Sequence, residues 1–140
     1  MTLLVDTSVW SLALRRGASA TEPEVAALKE ALGGAEVIVT TGIVLQELLQ
    51  GFGPPKARAQ IISSFAAIAL IQPDREDHIA AADLRNTCRA AGVQLGTIDA
   101  LIAQLCIRHG LTLLTTDKDF MLAAKHSKLK LCASLKAASE

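Results

Sequence analysis

The sequence predicts an α/β fold, a three-layer α/β/α sandwich with a central parallel sheet. Short apolar segments of strand length alternate with longer segments in which apolar residues recur at helical spacing. This alternation continues along the whole chain, and it is typical of a parallel sheet with helices on both faces. The 140 residues are a usual length for one domain with a full core, and 51% of them are hydrophobic. We expect one domain over residues 1–135 and a frayed terminus over 136–140.

Five segments are predicted as strands because each is short, apolar and bounded by turn or cap residues. They are 2–5, 36–39, 68–71, 111–115 and, as an edge strand, 128–132. The helical segments between them are 9–15, 21–32, 42–50, 56–67, 74–91, 98–109 and 120–124.

Capping residues mark several of the predicted helix ends. Thr21 and Pro23 are typical of a helix start, because threonine caps well and proline fits the first turn. Thr97 is predicted as the N-cap of the next-to-last helix, which Gly110 ends.

The bulk composition excludes several classes of protein. The first residues lack the basic segment of a secretory signal, and no apolar run reaches the roughly 20 residues of a membrane span. Three widely spaced cysteines, Cys88, Cys106 and Cys132, favour buried thiols in a reducing cytoplasm over disulfides or a zinc site. The 14 basic and 14 acidic residues balance, which argues against a protein that coats nucleic acid but not against a nuclease.

Four acidic residues are placed where the predicted elements would bring them together. Asp6 directly follows the first strand, and Asp117 comes two residues after the fourth. Asp99 lies in the first turn of a helix, and Glu47 lies on the apolar face of another, where an unpaired carboxylate is costly. Because sites form beyond the carboxyl ends of parallel strands, we expect these four carboxylates at one rim of the sheet.

Carboxylates that share a site repel one another unless a hard divalent cation lies between them. Mg²⁺ and Mn²⁺ take oxygen ligands, and such an ion can activate water for attack on a phosphate. Each aspartate also has a purely structural alternative: Asp6 as a helix cap, Asp99 as a favourable first-turn charge, and Asp117 and Asp119 as turn or cap residues. No dinucleotide fingerprint, Walker A loop or nucleophile elbow is present.

Four motifs in order resemble the PIN domain family, and within it the VapC-type toxins of toxin–antitoxin pairs. They are LLVDTSVW around Asp6, QELLQG around Glu47, GTIDALIA around Asp99 and LLTTDKDF around Asp117. The resemblance extends over roughly residues 2–132.

The resemblance implies about five parallel strands, Mg²⁺- or Mn²⁺-dependent endoribonuclease activity, a homodimer and inhibition by a cognate antitoxin. The family's catalytic, metal-binding quartet carries over to Asp6, Glu47, Asp99 and Asp117, with Asp119 as a further candidate ligand. Hydroxyls next to these acids are expected to orient carboxylates or metal-bound water. They belong to Thr7, Ser8, Thr97 and Thr116.

The residues that would contact RNA are not fixed by the sequence. The basic candidates near the rim are Arg15, Arg16, Lys56 and Arg58. Two other functions stay open at this point: a non-catalytic PIN-like module that binds a partner protein, and a phosphatase acting on small molecules.

Overall fold

The computed structural model describes residues 1–16 and 22–132, which form one parallel sheet with helices on both sides. The strands are β1 (Thr2–Val5), β2 (Val37–Thr41), β3 (Ala69–Ile71), β4 (Thr112–Leu114) and β5 (Lys130–Leu131). The described helices are α1 (Thr7–Arg16), α2 (Pro23–Glu30), α3 (Gly42–Gly51), α4 (Pro55–Phe65), α5 (Arg75–Ala90), α6 (Thr97–His109) and α7 (Lys118–Ala124). None of these helices is both long enough and apolar enough to span a membrane.

The five strands lie in the order β3-β2-β1-β4-β5, and every pair is parallel. The chain leaves β1 towards β2 and β3 and then crosses back to β4, on the other side of β1. The direction of winding therefore reverses between β1 and β4, and such a switch point leaves a crevice at the carboxyl ends of the two strands. The backbone N–H of Asp6 donates to the carbonyl of Leu114 at 2.9 Å, so the strand ends are joined there.

The core is built from aliphatic side chains, as the low aromatic content predicts. β1 and β4, the two strands beside the switch point, are almost fully buried. Trp10 of α1 and Phe65 of α4 pack against each other with ring centroids 4.8 Å apart. Cys88, Cys106 and Cys132 are buried, as the sequence predicts.

The sequence predicts the elements correctly and their ends less so. The prediction of Thr97 as an N-cap is wrong: Gly96 occupies the N-cap, and Thr97 is the first helical residue. The helix therefore begins one residue earlier than predicted, and Gly96 makes no side-chain capping bond. After α2 the chain continues into a wide turn, Ala31–Ala35, where Gly34 has φ 103° and ends the helical conformation.

Two predictions concern residues outside the described part of the chain. Thr21 was predicted to cap α2, and residues 136–140 were predicted to fray. Within the described part, Glu22 occupies the N-cap of α2 and Pro23 its first turn.

Candidate active site

The four acids predicted from the sequence all lie at or near the carboxyl edge of the sheet. Asp6 leaves β1 and Asp117 follows β4 by three residues, while Asp99 lies in the first turn of α6. Glu47 lies in the second turn of α3, a helix that begins directly after β2. The switch point between β1 and β4 is therefore lined by carboxylates from four different elements.

Asp6 is held by hydroxyl groups from both sides of the switch point. Its side chain is 6% exposed, and its Oδ2 accepts hydrogen bonds from Ser8 Oγ at 2.7 Å and Thr115 Oγ1 at 2.9 Å. The pairing of Val5 with Leu114 makes Asp6 and Thr115 the next neighbours beyond the paired strands. A buried carboxylate is tolerated only when its oxygens find donors, and two hydroxyls supply them here without neutralising the charge.

Glu47 is oriented by a hydroxyl from the neighbouring helix. Thr7 Oγ1 donates to Glu47 Oε1 at 2.9 Å, which links the start of α1 to the second turn of α3. Glu47 is half-buried on a helix whose Val44 and Leu48 are fully buried. That contact gives the carboxylate a hydrogen-bond partner beside the buried side chains of its own helix.

Asp117 has both a structural role and a position in the cluster. It is the N-cap of α7, and its Oδ1 accepts a hydrogen bond from the backbone N–H of Asp119 at 2.9 Å. Its own N–H donates to Thr115 Oγ1 at 3.0 Å. Capping uses one carboxylate oxygen, so the structural alternative for Asp117 is correct but does not exclude a ligand role for Oδ2.

The electrostatics of Asp99 show that the acids form one cluster. The pKa of Asp99 is raised from 3.8 to about 6, first by burial and then by the negative charges of the neighbouring carboxylates. These neighbours are Asp6, Asp117, Glu47 and Asp119, in decreasing order of effect. Because four nearby carboxylates disfavour the ionised form of Asp99, this side chain lies in a strongly negative crevice.

The described side chains in this crevice do not form a preorganised metal-binding site. Among the described residues, no group of three or more His, Cys, Asp or Glu side chains converges in an arrangement that could hold a metal ion. Charge effects act over several ångströms, whereas ligand bonds to Mg²⁺ are about 2.1 Å long, so the two observations describe different distances. Mg²⁺ keeps several waters and binds through one or two carboxylates, and an all-oxygen donor set suits it. The residues present therefore fit such an ion bound partly through water.

Only some of the hydroxyl residues predicted to support the site contact the acids in the described part of the chain. Thr7 and Ser8 contact the acids, whereas Thr97 is exposed at the start of α6. Thr116 uses its backbone N–H, which donates to Ser8 Oγ at 3.1 Å. Thr115 is not among the supporting hydroxyls predicted from the sequence, although its side chain donates a hydrogen bond to Asp6. The available signal was its position directly after β4, at the same edge of the sheet as Asp6.

The structure describes the surroundings of three of the four predicted RNA-contacting residues. The Arg15 guanidinium lies 5.8 Å from the centre of the Phe52 ring, about 12 Å along α1 from Thr7. Lys56 and Arg58 are exposed near the start of α4, and the side chain of Arg16 lies outside the described part. Their role in binding RNA stays a prediction.

Together, the sheet order and the carboxylate crevice define a class: parallel α/β proteins with an acidic centre at the switch point of the sheet. The family within this class follows from the sequence, because the PIN domain model matches residues 3–126. The chain belongs to the PIN domain family. A comparison with curated proteins gave no match.

Solved structures of toxin–antitoxin proteins have the same fold. VapBC2 from Rickettsia felis, bound to a DNA fragment from its promoter, is 23% identical with a TM-score of 0.72, over 94% of this chain and 98% of that one. VapBC-1 from nontypeable Haemophilus influenzae is 18% identical with a TM-score of 0.73, over 96% and 98%. VapC20 from Mycobacterium tuberculosis, a sarcin-ricin loop cleaving toxin, is 18% identical with a TM-score of 0.66, over 91% and 98%. The five-stranded parallel fold predicted from the sequence is confirmed.

Proposed function

We propose that this protein is a Mg²⁺- or Mn²⁺-dependent endoribonuclease and the toxin of a type II toxin–antitoxin pair. The observation that carries the proposal is the acidic crevice at the switch point of a PIN domain, where burial and then four neighbouring carboxylates raise the pKa of Asp99. The solved structures support it, since they are VapBC proteins and one is a toxin that cleaves the sarcin-ricin loop.

Asp6, Asp99 and Asp117 would hold the ion directly or through its waters, with Glu47 and Asp119 close enough to contribute charge. When bound, a divalent cation at such a site supplies an activated water and offsets negative charge on a phosphate under attack.

The residues of the chain have distinct tasks in phosphodiester hydrolysis. Ser8 and Thr115 fix Oδ2 of Asp6, which leaves its Oδ1 for the ion. Thr7 fixes Oε1 of Glu47, so that Oε2 can orient the attacking water and accept its proton. These hydroxyls hold carboxylates in place before substrate arrives, and such support is worth about 10- to 100-fold in affinity or activity at comparable sites.

The partners of this protein follow from the same proposal. We expect an RNA substrate, a cognate antitoxin protein that inhibits it, a homodimer and a cytoplasmic location. The low number of cysteines and the burial of Cys88 and Cys106 suit a reducing compartment.

RNA cleavage by the purified protein tests the proposal. We expect labelled RNA to be cut internally with Mn²⁺ or Mg²⁺ and to stay intact with EDTA. Asp99→Asn should reduce cleavage by about 100-fold or more while the circular dichroism spectrum stays native. Asp83→Asn, which removes an exposed carboxylate from α5, is the matched control and should cleave normally. Expression in cells should arrest growth, and Asp6→Ala should relieve the arrest.

The outcomes distinguish the alternative functions. Equal cleavage by wild type and Asp99→Asn would refute the assignment of the site. A wild-type protein that neither cuts RNA nor binds Mn²⁺ in titration calorimetry would favour the non-catalytic binding module. Turnover of phosphate monoesters without RNA cleavage would favour a phosphatase.

A further inference from the structure

A polar cavity lies next to the acidic crevice, between the end of α5 and the start of α6. Its volume is about 320 Å³, and it is lined by Arg85, Arg89 and the segment 92–96. The cavity ends at Gly96, and Asp99 follows one helical turn later, a rise of about 5 Å. The cavity and the acidic crevice are therefore neighbours at the same edge of the sheet.

The two arginines of the cavity form a pair of like charges, and no acid in the described part of the chain pairs with either of them. They are four residues apart on α5, so their side chains lie on one face, where like charges repel. The residues three and four positions before Arg85 are alanines, and no aspartate or glutamate lines the cavity. Among the described residues, neither arginine forms a salt bridge, and Arg85 Nε is buried without a hydrogen-bond partner. An anion in the cavity would offset the repulsion between the two guanidinium groups.

The wall opposite the arginines is held in a fixed position. The left-handed Gly92 (φ 81°) ends α5, and Val93 N–H donates to the Cys88 carbonyl at 2.8 Å. Val93 and Leu95 are buried, whereas Gly92, Gln94 and Gly96 between and beside them are exposed. The buried side chains of Val93 and Leu95 hold the segment 92–96 in place, so the cavity is formed before any ligand binds.

We propose that Arg85 and Arg89 bind a backbone phosphate of the RNA strand beside the phosphate that is cleaved. Guanidinium groups suit phosphate because their N–H groups bind its oxygens in pairs. The site offers no aromatic ring for base stacking, so it contacts the backbone and does not select a base. This inference rests on the proposed ribonuclease function, and it adds positive charge where the acidic crevice alone would repel RNA.

The test measures RNA binding separately from cleavage. In the Asp99→Asn background, a short, fluorescein-labelled single-stranded RNA of mixed sequence is titrated at several salt concentrations. Arg85→Gln/Arg89→Gln is compared with Arg75→Gln/Lys128→Gln, which removes the same two charges from exposed positions elsewhere. We expect about tenfold weaker binding than in the control. The slope of log K against log salt should also flatten by about 0.7 to 1.4, the value for one to two lost phosphate contacts on a single strand.

Further variants separate binding from a structural effect. Arg89 is exposed, so Arg89→Gln alone should fold normally and weaken binding about threefold. Lysine at both positions keeps the charges and should recover part of the affinity. In the otherwise wild-type enzyme, the double glutamine variant should raise KM about tenfold and leave kcat within about twofold, because a contact to a neighbouring phosphate acts equally before and during the reaction.

The results decide the two proposals independently. Binding and salt slope equal to those of the control would overturn the phosphate site, even if the wild type cleaves RNA. A protein that binds RNA through the two arginines but never cuts it would retain the site and refute the nuclease. No RNA binding by the parent protein would overturn both.

Discussion

The charge of Asp99 should destabilise the metal-free protein, and removing that charge should stabilise it. The pKa of Asp99 is raised from 3.8 to about 6 by burial and then by the surrounding carboxylates. A pKa unit is worth about 1.4 kcal/mol, so this rise corresponds to at most about 3 kcal/mol. Because Asp99 is partly exposed, solvent screens these interactions, and we expect about 1–2 kcal/mol.

The pH dependence follows from the direction of the shift. A carboxyl group whose pKa is higher in the folded state costs stability when it is ionised there. The cost is absent below pH 3.8, grows as the pH rises, and is complete above a pH of about 6. Asp99→Asn should therefore unfold at a temperature about 3–8 °C above wild type at pH 8 in EDTA, and within about 2 °C of it at pH 4.

Thermal unfolding of matched variants checks this reasoning. Asp83→Asn removes an exposed carboxylate from α5 and should change stability by less than about 0.5 kcal/mol at either pH. If Asp99→Asn is destabilised at pH 8, or if its gain is the same at pH 8 and pH 4, the acids do not repel one another as the structure indicates.

Two further predictions concern hydrogen bonds to buried carboxylates. Thr115→Val removes a hydrogen-bond donor to Asp6, and it should lower the free energy of unfolding in urea by about 1–3 kcal/mol and RNA cleavage by about tenfold or more. Thr115→Ser should recover both stability and cleavage. Full activity in the valine variant would contradict the proposed support of Asp6. Arg108→Met leaves the buried Asp77 without its guanidinium partner and should cost about 2–3 kcal/mol at pH 7. Burial alone would raise the pKa of Asp77, but the Asp74 N–H and Arg108 lower it below its usual value. The stabilisation by Arg108 should therefore be present above pH 3.8 and be lost as the pH falls further. An equal loss of stability in Arg108→Met at about pH 7 and about pH 2.5 would contradict this pairing.

The sequence predicts the positions of the acids because each follows from local pattern. Asp6 comes after an apolar strand, Asp99 after a helix start and Glu47 within an apolar helical face, and these patterns need no knowledge of the neighbours. The order of the strands, by contrast, is not a local property. The crossing from β3 back to β4 places Asp117 beside Asp6, and only that crossing turns isolated acids into one crevice.

Contacts between distant segments were less predictable. Thr115 and Asp6 are 109 residues apart, and their hydrogen bond depends on the pairing of β1 with β4. Arg85 and Arg89 are four residues apart in the segment 74–91, a spacing that is usual for the polar face of a helix. Only the return of the chain through 92–96 encloses it, so the cavity has no signal in the sequence of α5 alone.

Divalent cations should reverse the stability order of wild type and Asp99→Asn. The same negative charge that makes Asp99 costly in the metal-free protein should draw a cation into the crevice. A ligand at 100 times its Kd stabilises the folded state by about 2.7 kcal/mol, which exceeds the expected cost of about 1–2 kcal/mol. Titration with Mn²⁺ at pH 8 should therefore raise the Tm of wild type above that of the variant, which starts higher but loses a ligand. Parallel rises in both proteins would show that the ion binds elsewhere, and the assignment of Asp99 would fail.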